Sequence, residues 1–137
     1  MRKLADILGG IEYTASLPVD GIIIDNLSFD SRKVTGNSLF IALKGSVTDG
    51  HEFIPDAIRL GASAILCESV PADADPEVCW IRVKDSSHAL GLCASNFYDH
   101  PSRELRIVGV TGTNGKTTTV ILSYDLFISL GYKSGLL

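Results

Sequence analysis

Leu105-Arg106-Ile107-Val108-Gly109-Val110-Thr111-Gly112-Thr113-Asn114-Gly115-Lys116-Thr117-Thr118 is an apolar, β-branched run that empties into a glycine-bracketed loop. The run reads as a buried strand. The residues after it, Lys116 to Leu130, read as a helix stopped by Gly131. Strand, glycine loop and helix in that order is the context in which a phosphate-binding loop works. Glycines let the backbone curl so that successive N–H groups face an anion, and the helix N-terminus adds its partial positive charge. Lys116 is placed to reach the β- and γ-phosphates of a nucleotide, and the Thr117 hydroxyl to ligate magnesium. In the general pattern G-x-x-x-x-G-K-[ST] the first glycine would fall at Val110, so this loop is a variant. ATP is the expected ligand, although the loop alone does not choose between ATP and GTP.

Upstream, Asp99-His100-Pro101-Ser102 breaks the chain, because proline disfavours helical geometry in the residue before it. The segment before that break alternates strands and helices. Strands are expected at Gly21–Asp30, Leu39–Leu43, Ala64–Cys67 and Trp80–Val83, and a loop at Val70–Pro76. One helix is expected over Phe53–Leu60, stopped by Gly61. A second is capped by Asp85 or Ser86 and carries the stripe Leu90, Cys93, Ala94, Phe97. The expected fold is therefore α/β. A small mixed-sheet N-terminal domain spans 1–102, followed over 103–137 by the first strand, phosphate loop and helix of a truncated mononucleotide-binding domain. Ser134 to Leu137 looks like the start of a next strand, and the apolar residues around the last helix suit a helix meant to be covered.

Composition narrows the function classes. The chain has 137 residues, 45% hydrophobic and 20% charged, with a net charge of −4, which excludes a disordered polypeptide. An acidic balance without Lys/Arg runs argues against nucleic acid or an anionic membrane as partner. No apolar stretch approaches the ~20 residues of a membrane span, and the start Met1 to Gly10 lacks the apolar core of a secretory signal. Cys67, Cys79 and Cys93 form no CxxC pair and read as core residues of a reducing compartment. A cytoplasmic protein is expected. Among the histidines, His51 reads as capping or orienting the helix after it, and His88 and His100 as structural or solvated; no two share metal-ligand spacing. Trp80 reads as core, with base stacking as the alternative. Asp30-Ser31-Arg32, taken alone, reads as a strand-end turn with Asp30 and Arg32 paired.

Gly109 to Thr119 resembles the ATP loop of the Mur ligases, in which Thr-Gly-Thr-Asn-Gly-Lys-Thr replaces the usual sequence. The upstream half agrees with it. Phe29-Asp30-Ser31-Arg32-Lys33-Val34, Gly36 to Gly45 and Asp49-Gly50-His51-Glu52-Phe53-Ile54 are similar to the N-terminal substrate domain of the MurE and MurF types. Two blocks about 80 residues apart are more specific than either alone. Thr113, where MurF-type loops more often carry serine, favours the MurE type.

The resemblance implies an ATP- and magnesium-dependent ligase of peptidoglycan precursor synthesis. Such an enzyme phosphorylates the terminal carboxylate of UDP-N-acetylmuramoyl-L-alanyl-D-glutamate. The amino group of a diamino acid, meso-diaminopimelate or L-lysine, then attacks the acyl phosphate, and ADP and phosphate are released. It implies that Phe29, Ser31, Ser46, Val47 and Thr48 hold the UDP-muramoyl substrate, although the His-Gln-Ala often seen at the last three positions is absent. It also implies that Gly112, Thr113, Asn114, Gly115, Lys116, Thr117 and Thr118 hold ATP, with Lys116 stabilising phosphate charge and Thr117 on magnesium. The remaining machinery would lie beyond Leu137, so these 137 residues alone are expected to be inactive and to bind ATP weakly. A MurF-type ligase adding D-Ala-D-Ala and a non-catalytic UDP-sugar-binding module are the alternatives. The apolar last helix leaves self-association or packing onto the first domain open.

Overall fold

The computed structural model describes residues 1–45 and 49–137. The chain divides into two compact units, Met1–Glu104 and Leu105–Leu137. The first unit is built on a five-stranded mixed sheet. Its strands are β2 (Thr14–Ala15), β4 (Asn26–Ser28), β5 (Ser38–Ile41), β6 (Ala62–Cys67) and β7 (Cys79–Arg82), in the order β2-β7-β6-β5-β4. β4 to β7 are mutually parallel, and only β2 runs antiparallel, against β7. A separate two-stranded ladder joins β1 (Arg2–Lys3) to β3 (Ile23–Ile24).

Both faces of the sheet are covered, as a parallel sheet requires. Because side chains alternate along a strand, Leu39 and Ile41 of β5 enter one core while Phe40 enters the other. The first core packs under α1 (Leu4–Ile7) and α3 (Ser86–Phe97), and includes Leu4, Ile7, Leu66, Ile81, Ala89 and Cys93. The second packs under α2 (Ile54–Arg59), with Ile54 and Ala57 against Phe40, Ile65, Cys67 and Trp80. Trp80 is thus a core residue, and its indole N–H donates to the Asp75 carbonyl at 2.9 Å. Asn96 of α3 donates to the carbonyls of Ile7 and Gly9, tying α3 to the end of α1. α3 is capped by the Asp85 carboxylate, which accepts from the His88 N–H at 2.9 Å.

Several expectations are corrected. The strand expected over Gly21–Asp30 is two strands in two sheets. At Asp25 the backbone N–H turns to the Asn37 carbonyl and the carboxylate to the Asn37 amide, so the chain changes partner there. β1, α1 and β2 appear in a stretch where no element is expected, since pieces of two to four residues carry no readable period. In the second unit α4 (Lys116–Ser129) forms as expected. Leu105–Val110 and Ser134–Leu137 form no strand: a strand exists through its ladder, and neither segment is paired among the described residues. No helix among the described residues is long and apolar enough to cross a membrane.

Candidate functional site

Four consecutive parallel strands bring four strand exits to one edge of the sheet. On that carboxyl rim lie Phe29–Ser31 after β4, Leu43–Lys44 after β5, Glu68–Ser69 after β6 and Val83–Ser86 after β7. Ligands of open α/β sheets bind outside the carboxyl ends of strands, where diverging connections leave space. Two open clefts flank the β6 exit. One of about 290 Å³ is lined by Lys44, Asp49, His51, Glu68, Ser69 and Pro71. The other, about 370 Å³, lies toward β2 and includes Thr14, Ser16, Trp80 and Arg82.

At the β4 exit, Asp30 begins a short 3-10 turn over Ser31–Lys33. Its carboxylate accepts from the Arg32 backbone N–H at 3.1 Å and from the Arg32 guanidinium at 2.9 Å through each oxygen. These bonds hold the Asp30 carboxyl below its usual range, the Arg32 side chain being the largest cause. Asp30 and Arg32 therefore satisfy each other, as the turn reading expects. The residues on either side of Asp30 behave differently: Ser31 is buried at the turn, and Phe29 stands 63% exposed on the rim. An apolar ring that open, beside a satisfied ion pair, is available to a ligand. Ser46, Val47 and Thr48 lie outside the described residues.

A second cluster on the rim was not expected as a unit. The Asp49 carboxylate accepts from the His51 backbone N–H at 3.0 Å and contacts His51 Nδ1 at 2.6 Å. His51 Nε2 accepts the Glu68 backbone N–H at 3.1 Å. With Nε2 accepting, Nδ1 is the ring nitrogen placed to donate to Asp49. The Glu68 carboxylate accepts from the N–H and hydroxyl of Ser86 at 3.0 and 2.9 Å, and the Ser86 hydroxyl in turn accepts from the Lys44 N–H at 3.3 Å. Hydrogen bonding to His51 and to Ser86 lowers the Asp49 and Glu68 carboxyls from their ordinary values. Asp49-x-His51 is a readable turn spacing. Glu68 and Ser86 lie 18 positions apart, and nothing in the sequence pairs them. Asp49, not His51, caps the turn before α2, and the His51 ring instead ties that turn to the β6 exit.

In the second unit the loop curls as its glycines permit. Gly112 and Gly115 have φ of +152° and +74°, a region costly for residues with a Cβ. Lys116 folds back so that its ammonium donates to the Gly112 carbonyl. α4 starts at Lys116 with no side-chain cap, and its first ladder bond runs from the Thr119 N–H to the Gly115 carbonyl. The N–H groups of Lys116, Thr117 and Thr118 are thereby the unspent donors of a helix start, next to a lysine and two hydroxyls. That donor set fits a polyphosphate. The structure brings Gly112 to Thr118 together in one unit, and Phe29 and Ser31 to the rim of the other.

Comparison with known proteins identifies the family. Residues 23–98 match the model of the Mur ligase family, catalytic domain. A relative from Cytophaga hutchinsonii, UDP-N-acetylmuramoyl-L-alanyl-D-glutamate–2,6-diaminopimelate ligase, is 59% identical over 112 residues, 81% of this chain and 23% of the relative. The ligase of the same name from Parabacteroides distasonis is 47% identical over 98% of this chain and 28% of its own length. A crystal structure of MurF from Acinetobacter baumannii superposes with a TM-score of 0.69 at 25% identity, covering 93% of this chain and 28% of that one. The chain spans about a quarter of the length of the curated relatives it matches. With the family model covering more than half of its residues, on the strands whose exits make the rim, the chain belongs to the Mur ligase family.

Proposed function

We propose that this chain is the part of a MurE-type ligase that holds UDP-N-acetylmuramoyl-L-alanyl-D-glutamate and begins the ATP site, and that the whole enzyme joins 2,6-diaminopimelate to that dipeptide. One observation carries the reading. A carboxyl rim bearing an exposed Phe29 and a buried Ser31 occurs in the same chain as an uncapped glycine-loop helix start with Lys116 and Thr117. The relatives, ligases of 2,6-diaminopimelate, supply the amino acid, since nothing in these 137 residues selects it.

Met1–Glu104 would serve as the nucleotide clamp. The Phe29 ring offers a face on which a uracil can stack, and the Ser31 hydroxyl sits at the start of a turn whose charges already neutralise each other. Leu105–Leu137 would supply the ATP loop. The N–H groups of Lys116 to Thr118 and the Lys116 ammonium would hold the phosphates, and the Thr117 hydroxyl would ligate magnesium. Bound magnesium, with Lys116, supplies charge neutralisation for phosphoryl transfer to a carboxylate, which is otherwise a poor electrophile. To meet the ATP chain, Lys116 has to leave the Gly112 carbonyl, a local exchange of one charge-assisted hydrogen bond for stronger ones.

The test is calorimetric titration of the chain with UDP-N-acetylmuramoyl-L-Ala-D-Glu, with UDP and ATP separately. Saturable binding of both UDP compounds is expected, weakened about tenfold or more by Ser31→Ala, in line with a lost hydrogen bond to a charged ligand. A folded chain that binds neither UDP compound would sink the clamp.

A further inference from the structure

The β5–β6 ladder stops before the rim does. Its last rung runs from the Ala42 N–H to the Leu66 carbonyl at 2.8 Å. Continuing a parallel ladder would send the Glu68 N–H to the Ala42 carbonyl. It goes instead to His51 Nε2. On the other side Leu43 is taken up by the returning chain, its carbonyl accepting from the Gly50 N–H at 2.8 Å. The Lys44 N–H leaves for the Ser86 hydroxyl. Beyond Ala42 and Leu66 the Glu68 N–H is thus held by the His51 imidazole, whose own turn is bound to the β5 exit through the Gly50 N–H and the Lys44–Asp49 bridge.

We propose that His51 is a positioning residue: its ring replaces the next rung of the β5–β6 ladder, wedging the two strand exits apart at a fixed spacing and thereby holding the rim for the UDP-muramoyl substrate. This rests on the clamp reading above. Three features support it. The ring is fixed at both nitrogens, Nδ1 by Asp49 and Nε2 by the Glu68 N–H. It lines the cleft beside the β6 exit together with Lys44 and Glu68. Its backbone cannot retreat, because Gly50 lies so near Leu43 that a Cβ there would stand 2.7 Å from that residue's N and O. The wedge also fixes the Glu68 main chain, and the Glu68 carboxylate carries the setting on to α3 through Ser86. His51 need not touch the ligand. It sets how far apart the groups that do touch it are held.

The experiment has two arms on the 137-residue chain. Without ligand, amide hydrogen exchange is compared in wild type, His51→Ala, His51→Gln and His51→Asn. The Glu68 amide should exchange at least about tenfold faster in the alanine and asparagine variants, with the Ala42 and Val83 amides unchanged. Glutamine, whose carbonyl reaches the place of Nε2, should keep Glu68 protected. With ligand, Kd for UDP-N-acetylmuramoyl-L-Ala-D-Glu should rise about tenfold in the alanine and asparagine variants and stay within about threefold in the glutamine variant. A lowered melting temperature with unchanged Kd in folded His51→Ala overturns the proposal and leaves the clamp standing. Unchanged exchange at Glu68 overturns it as well. Wild type that fails to bind overturns the clamp itself and the proposal with it. Should His51→Ala not fold, the glutamine and asparagine variants decide: equal affinity in the two is a refutation.

Discussion

Glu68 is the residue at which acid should first be felt. Its carboxyl is held below the ordinary 4.5 by the N–H and hydroxyl of Ser86, and Asp49 and Asp30 are held below 3.8 by His51 and Arg32. A depressed carboxyl contributes stability that is complete above its unfolded value and is lost as pH falls through the folded one. Urea stability should therefore be flat from neutrality to about pH 5 and fall below about pH 4. Glu68→Gln should make that fall shallower; superimposable profiles would remove Glu68 from the account. Asp30 and Asp49, half-buried like Glu68, contribute in the same direction at the lower pH set by their lower ordinary value. The cysteines answer a different question at the same scale. Burial pushes the Cys67 and Cys93 thiols up to about 11 and about 12, and raises Cys79 too. At pH 8 an alkylating reagent should leave all three unmodified in the native chain and label all three in denaturant. Native labelling at Cys67 would mean that its strand opens.

At the scale of elements, the 3-10 turn Gly50–Phe53 begins at the glycine that, among the described glycines of the first unit, has backbone neighbours closest to where a Cβ would stand. Gly50→Ala would press a methyl into backbone atoms of Leu43, which cannot rotate away, and should cost about 1–3 kcal/mol of unfolding free energy. A chemical denaturation curve superimposable on wild type would show that the joint can loosen. This joint also shows what a sequence can disclose. Asp49-Gly50 announces a turn, and Asp85 followed by a 3.6-residue stripe announces α3, because both signals are local. The split of one β-branched run into β3 and β4 is not local. It is decided by Asn37, twelve positions from Asp25, and alternation alone cannot see it. The candidate site divides in the same way. Asp30-Ser31-Arg32 and Gly112 to Thr118 are contiguous and legible. The wedge at His51 needs Glu68, and Glu68 needs Ser86, and the three meet only once β5, β6 and β7 lie side by side.

For the whole molecule, the distribution of the core is decisive. Every buried apolar side chain among the described residues lies between Leu4 and Cys93, and α4 contains no buried residue. A chain ending at Glu104 should therefore unfold cooperatively with a melting temperature within a few degrees of the 137-residue chain, and should keep the affinity for the UDP compounds. Loss of the transition on truncation would show that Leu105–Leu137 supports the first unit. The amides of α4 should conversely exchange far faster than those of β5 and β6, since a helix without buried contacts relies on its own ladder.

The order of the parallel strands has a consequence in time. From β4 to β7 each new strand docks beside the one made just before it, and α3 closes the last exposed face. No later segment is needed to complete either core. On a ribosome adding about 5–20 residues per second, the second unit takes roughly two to seven further seconds to make. Both cores are closed by residues that precede Leu105, so the first unit can finish folding once its own strands and α3 have cleared the ribosome, whether or not the second unit has yet folded.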